Sequence, residues 1–283
     1  MTISARAAEG DQILNIFNTR RAVIGVIHCP AFPGAPRHDG RSVDSIYEAA
    51  LRDARAYDEG GVDGLIVENH GDIPFLRPAD IGPETVAYMT AATRLVMAET
   101  GLPTGVNLLA NAPIPALAVA AASGARFIRV NQWANAYVAN EGLLDGDAAR
   151  ALRFRKQIAA EGVAIFADSH VKHGAHAITA DRSIEELTRD LEFFDAEVVI
   201  ATGQRTGDAV TDAELDTVSG ATSLPVIVGS GVTEDNVARI LSRARGTIIG
   251  SSLKEGGVWW NPVDPARVRS FMDRVAALRE GGA

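Results

Sequence analysis

Cysteine is almost missing from this 283-residue chain: Cys29 is the sole one. No disulfide can therefore form within it, and the fold must be held by its core. A cytoplasmic location is the expectation, since a chain without disulfides suits a reducing compartment. Positive charge is also scarce, with 27 Lys and Arg against 36 Asp and Glu, a formal charge of -9. A chain of that sign repels a nucleic-acid backbone, so no nucleic-acid partner is expected. A pocket for one phosphate needs only local charge and stays open. No stretch offers the roughly 20 apolar residues of a membrane helix. Residues 1–21 lack the unbroken apolar run of a secretory signal. The triphosphate signature G-x-x-x-x-G-K-[ST] is absent too. Aromatic residues are only 6% of the chain, but hydrophobic residues reach 47%, enough for a large aliphatic core.

What is present is an alternation of two textures. Short apolar, β-branched runs lie at 23–27, 64–67, 104–108, 127–130, 163–167, 198–201, 226–228 and 247–249. Between them lie segments of helical spacing at 45–59, 84–99, 114–122, 147–161, 183–195, 212–218, 235–242 and 265–280. Thr233 and Asp264 read as helix N-caps, and Gly60, Gly61, Gly101, Gly124 and Gly162 as helix ends or turns. Continuous apolar runs suit strands covered on both faces, and strict alternation means parallel strands joined by crossovers. Eight units over this length predict an α/β fold, a single (β/α)8 TIM barrel, in preference to an open doubly wound sheet. The expected domain is 1–283, with a core at 22–272 and an extension at 1–21. A helix over 9–20 within that extension would close the barrel bottom. The long Pro- and Gly-rich loop from 29 to 44 reads as a lid.

Barrel chemistry is built at the C-terminal ends of the strands. Nearly every run here ends in a polar or glycine cluster: His28, Glu68-Asn69-His70, Asn107, Arg129 and Asn131, Asp168 and His170, Thr202-Gly203, Gly229-Ser230-Gly231, and Gly250-Ser251-Ser252. Strand ends are polar in any fold, but that explains poorly so many ionisable and amide side chains on one rim. The last two clusters are the sharpest signal. Glycines after the seventh and eighth runs let a backbone approach an anion, with Ser230, Ser251 and Ser252 adding hydroxyls. Two tight turns with no ligand are the bland alternative. In Asp168-Ser169-His170-Val171-Lys172-His173, Asp168 and His170 point the same way if the strand persists. That set suits proton transfer first, a divalent cation second, and a Schiff base on Lys172 third. Glu68 reads as a general base, or as a carboxylate held by Arg129 across the mouth. Asn69, Asn107 and Asn131 suit a polyol or carbonyl. Cys29 reads as a packed thiol, and Trp259-Trp260 first as an oligomer contact or packing against the last helix and second as a wall of the pocket.

These blocks together resemble the BtpA family, also called BtpA/SgcQ, over about residues 22–272. The resemblance runs through Gly25-Val26-Ile27-His28, Val67-Glu68-Asn69, Gly105-Val106-Asn107, Phe127-Ile128-Arg129-Val130-Asn131 and Ala136-Tyr137-Val138. It continues through Phe166-Ala167-Asp168, His170-Val171-Lys172-His173, Val228-Gly229-Ser230-Gly231-Val232-Thr233 and Ile249-Gly250-Ser251-Ser252-Leu253-Lys254. It implies a phosphate-binding barrel, with one branch tied to photosystem I biogenesis and another to sugar catabolism. It supports Glu68, Asn107, Arg129, Asp168, His170, Lys172 and the two glycine–serine loops as site residues. The chain departs from the family at His70, Gln132-Trp133 and 174–176, which bears on the substrate.

The combined expectation is an enzyme moving a proton beside a carbonyl of a phosphorylated sugar. Asp168, His170, Lys172 and Glu68 would be catalytic. His28, Asn69, Asn107, Arg129, Asn131, Thr202 and Gly203 would bind substrate, and Gly229, Ser230, Gly231, Gly250, Ser251 and Ser252 the phosphate. A non-enzymatic assembly or regulatory factor is the second reading. A hydrolase with a divalent cation on His28, Glu68, Asp168 and His170 is the third. A homo-oligomer is expected by analogy with the fold.

Overall fold

A computed structural model describes residues 11–171, 174–203 and 210–281. Eight parallel strands close into a barrel in the order β1-β10-β9-β8-β7-β4-β3-β2. They are β1 (Ala22–His28), β2 (Gly64–Glu68), β3 (Thr104–Asn107), β4 (Phe127–Val130), β7 (Ala164–Asp168), β8 (Val198–Ala201), β9 (Val226–Val228) and β10 (Gly246–Ile249). The TIM-barrel expectation holds, and the strands fall within a residue or two of the predicted runs.

The helices are α1 (Gln12–Phe17), α2 (Val43–Glu59), α3 (Pro83–Thr100), α4 (Pro113–Ser123), α5 (Ala148–Gln157), α6 (Ile184–Phe193), α7 (Asp212–Ala221), α8 (Val237–Leu241) and α9 (Pro265–Glu280). Their ends follow local chemistry. Ser183 with Glu186, and Thr211 with Glu214, form reciprocal capping boxes on α6 and α7. Asp264 caps α9 ahead of Pro265, as predicted. Thr233 does not cap α8: its amide donates to the Asn236 side chain at 2.9 Å, and the helix starts only at Val237.

Two cores result from strand alternation. Ile24, Val26, Ile66, Phe127, Phe166, Val198, Ile200, Ile227 and Ile248 fill the barrel interior. Val23, Ile27, Val67, Val106, Ile128, Ile165, Val199 and Val228 face the helices. The interior is closed below by α1, whose Ile13, Ile16 and Phe17 are buried in the same cluster. Phe17 meets Phe127 edge-on at 5.7 Å, and Phe127 stacks on Phe166 at 4.4 Å. Gly105 makes room for this stack: a Cβ there would lie 2.2 Å from the Phe127 ring.

Two features depart from the sequence reading. A hairpin, β5 (Ala136–Ala139) with β6 (Gly142–Asp145), rises from the connection between β4 and α5 and was not anticipated. The segment 29–44 is pinned rather than poised as a lid. Phe32 is buried and stacks on Tyr88 at 5.4 Å, and its amide donates to Asp72 at 2.8 Å. Apolar anchoring of Phe32 holds this loop to α3, away from the mouth.

Candidate functional site

Alternation along each strand decides what reaches the mouth. Positions 24 and 26 point into the barrel, so 28 does as well; the same parity carries 66 to 68, 127 to 129, 166 to 168, 227 to 229 and 248 to 250. The uppermost inward layer is therefore His28, Glu68, Asn107, Arg129, Asp168, Gly229 and Gly250. Register aligns its first four members across adjacent strands, with His28 opposite Glu68, Glu68 opposite Asn107, and Asn107 opposite Arg129. Above this layer opens a cavity of about 710 Å³.

One side of the cavity is a charged network. Arg129 grips Asp168 with a two-pronged contact, Nε to Oδ1 and Nη2 to Oδ2, both at 3.0 Å. Its Nη1 lies 3.6 Å from Glu68 Oε1, which also accepts from Asn107 Nδ2 at 3.2 Å. Asn131 Nδ2 donates to Asp168 Oδ2 at 3.1 Å. His28 Nε2 stands 3.9 Å from Glu68 Oε2. Burial by itself would lower the Arg129 pKa, but Asp168 and Glu68 outweigh it and raise it, so the guanidinium stays charged. The Nδ1 of His28 faces the Trp259 carbonyl at 3.1 Å. A carbonyl only accepts, so Nδ1 donates to it and Nε2 is turned toward Glu68.

The opposite side is backbone. The turns after β9 and β10 are neighbours, tied by Ser252 Oγ donating to the Val232 carbonyl at 2.8 Å. Gly231 adopts a left-handed φ of 67° that bends the first turn. Among the described residues, the amides of Gly231, Val232, Ser251 and Ser252 make no hydrogen bond. Ser251 and Ser252 open a single 3-10 turn (Ser251–Leu253). Arg267, in the first turn of α9, reaches the same place and donates to the Ser252 carbonyl at 3.2 Å. Gly250 lets the two sides meet, for a Cβ there would sit 3.3 Å from the His28 ring.

The family's sequence profile matches residues 19–277. The chain is 40% identical to a mitochondrial protein of Caenorhabditis elegans over 93% of this chain and 95% of that one. It is 36% identical to the photosystem I biogenesis protein BtpA of Synechocystis, over 93% of this chain and 91% of that one. The chain belongs to the BtpA family. Solved barrels similar to this BtpA-family chain include a thiamine phosphate pyrophosphorylase of Pyrococcus furiosus (TM-score 0.55, 15% identity, 92% of this chain and 98% of that one). A phosphoribosyl anthranilate isomerase of Thermus thermophilus is another (TM-score 0.54, 15% identity, 91% of this chain and 99% of that one). At that identity they bear on the fold alone.

Several residues predicted as site members sit elsewhere in this BtpA-family barrel. Asp168 is in place but buried behind Arg129, with both oxygens taken, and does not line the cavity. Its carboxylate holds the Arg129 guanidinium and the Asn131 amide. His170 does not follow Asp168 inward, because β7 ends at Asp168 and the chain turns. Its ring stacks on His176 at 3.9 Å in a separate cavity behind α6 and α7. Burial, then His176, lowers its pKa and keeps it neutral. The Thr202 hydroxyl donates to the His170 carbonyl and lines that second cavity, while Gly203 lines neither. Asn69 braces loops: its amide donates to Asp72 at 3.1 Å, and its oxygen accepts from the Leu109 amide at 2.8 Å. Lys172 lies outside the described residues. The cation set of His28, Glu68, Asp168 and His170 does not converge, and no group of three His, Cys, Asp or Glu suited to a metal occurs among the described residues.

Sequence reasoning passed over Arg267 and the hairpin's Asn140 and Glu141, all of which line the cavity. Of the readings open for Trp259, the structure bears out the second, since Trp259 forms part of the cavity wall. No helix among the described residues is long and apolar enough to cross a membrane. Cys29 is buried, and burial, then Asp72 and Asp53, push its pKa well up. The native thiol is therefore expected to react with a disulfide reagent at pH 8 at least a hundredfold more slowly than the urea-unfolded chain. Comparable rates would show the β1 end open to solvent.

Proposed function

We propose that this barrel is an enzyme that binds a phosphorylated sugar or related carbonyl compound and moves a proton beside its carbonyl. The carrying observation is the pairing, in one cavity, of four amides that make no hydrogen bond among the described residues and a carboxylate–imidazole couple beside them. The phosphate takes the amides of Gly231, Val232, Ser251 and Ser252, with Ser230 and Ser251 hydroxyls and the Arg267 guanidinium around it. Backbone donors of this kind are already oriented, so binding costs no reorganisation.

Glu68 is the general base and His28 the group that takes or returns the proton. Neither is locked in a two-pronged ion pair, in contrast to Asp168. Arg129, held by Asp168, and Asn107 stabilise the negative charge that develops on the carbonyl oxygen. Among the described residues, the amide oxygens of Asn107 and Asn131 are buried without a hydrogen-bond partner, and sugar hydroxyls are donors that suit them. The solved barrels compared above are named for phosphorylated compounds, which agrees with this reading without carrying it.

The test is solvent-deuterium incorporation into a panel of sugar phosphates, followed by NMR. One or more members should exchange with the native protein. Glu68→Gln should slow that exchange by about a hundredfold or more. Arg267→Ala should raise KM for the phosphorylated compound by roughly tenfold, the worth of one charge-assisted contact. No exchange with any member, together with no binding of inorganic phosphate, would defeat the proposal.

A further inference from the structure

The phosphate turns and the proton-transfer residues occupy only part of the cavity. Its volume of about 710 Å³ lies in the upper half of the range for small-molecule sites. The rest of its wall is aromatic and aliphatic: Phe75, Leu109, Ala110, Tyr137, Val171 and Trp259. His70 joins this wall, lying 4.3 Å from the Trp259 ring and edge-on to Phe75 at 5.9 Å. Asn111, Asn140 and Glu141 edge it with polar groups from the α4 entry and the hairpin turn.

A sugar phosphate alone is small for such a wall and would leave much of it uncovered. A planar ring fits instead. Its faces meet aromatic side chains, and its edge nitrogens and oxygens meet amides and a carboxylate. Trp259 lies nine residues beyond Gly250, so the aromatic wall and the phosphate turn belong to one stretch of chain. His28 connects the two regions, being bonded to the Trp259 carbonyl and lying tilted against the His70 ring at 4.7 Å.

We infer that the ligand is a phosphorylated sugar or carbonyl compound that also carries a planar nitrogen ring, as nucleoside monophosphates do, with its ring against Trp259 and His70. This rests on the phosphate reading given above. Phosphate sits at the turns after β9 and β10, the pentose over Glu68, Asn107 and Asn131, and the ring in the aromatic bay.

The experiment is a fluorescence and calorimetric titration of the full chain with adenosine 5′-monophosphate, uridine 5′-monophosphate, ribose 5-phosphate and inorganic phosphate. At least one nucleotide should bind tenfold or more tightly than ribose 5-phosphate and quench tryptophan emission. Trp259→Ala should remove that preference and the quenching while ribose 5-phosphate affinity holds. Trp259→Phe should keep most of the preference, which separates a lost ring contact from a disturbed fold. Binding of ribose 5-phosphate with neither nucleotide preferred would overturn the ring and leave the phosphate reading standing. Failure of all four probes, inorganic phosphate included, would overturn both.

Discussion

Arg129→Ala is expected to lose about 3–5 kcal/mol of folding stability, the largest effect of any single change at the mouth. The side chain carries the one positive charge between two carboxylates, and it is only 7% exposed. Glu68 and Asp168 are each about as deeply buried. Among the described residues, removing the guanidinium leaves Asp168 with Asn131 as its side-chain donor and Glu68 with Asn107 and the His28 ring. Two desolvated negative charges would then face each other across the barrel. Arg129→Lys keeps the charge but not the fork, so it should recover part of the loss and none of the geometry. Urea unfolding reads both variants, as a shift in midpoint with an unchanged slope. A loss below about 1 kcal/mol for the alanine variant would mean that water reaches these carboxylates, and would weaken the case for a dry site.

The same network shows which parts of the site were legible in the sequence. Position at the strand ends put His28, Glu68, Asn107, Arg129 and Asp168 on one rim, because barrel chemistry collects at the C-terminal ends of the strands, and parity aligned Asp168 with His170. Parity says nothing about what happens once a strand stops. Asp168 and His170 share parity, yet β7 ends at Asp168 and the turn carries His170 to a separate cavity. Nor does parity rank partners. Asp168 and Glu68 look equivalent in the sequence, and only the fork of Arg129 shows that one is held and the other faces the cavity. Asn69 was misread for a similar reason, since an amide beside a strand end serves a loop as readily as a ligand.

The missed residues lay where local patterns are weakest. Arg267 sits in an amphipathic helix among other arginines, and nothing in its spacing says that it reaches back to the β10 turn. The hairpin had a signal, for Gly142 follows Asn140-Glu141 between two short apolar runs and takes a φ of 100°. Inside a barrel connection that signal competes with the expectation of a plain loop. Trp259 looked like packing material because a pair of adjacent tryptophans has no directional pattern. In the fold Trp260 is exposed and Trp259 turns inward.

A second large effect is expected at Lys254, which looks like a minor residue of the β10 turn. Its side chain is 1% exposed, and its Nζ donates to Asp53 Oδ2 of α2 at 2.9 Å. Asp53 Oδ1 accepts from the Val263 amide at 3.2 Å. Lys254 and Val263 also form an antiparallel bridge, and the Asp264 amide donates to the Leu253 carbonyl at 2.9 Å. These contacts pin the segment carrying Ser251 and Ser252 against the start of α9, which carries Arg267. Lys254→Met should cost about 3–5 kcal/mol, because the Asp53 carboxylate stays buried without its partner. The double change of Lys254→Met with Asp53→Leu should regain most of that, since a buried ion pair exchanged for apolar groups of similar volume is often neutral or stabilising. Lys254 does not line the cavity. Inorganic phosphate should therefore bind the double variant as it binds the native chain. Stability regained with binding lost would instead mean that the Lys254 charge itself acts on the anion through the thin turn, a field effect no contact in the structure displays.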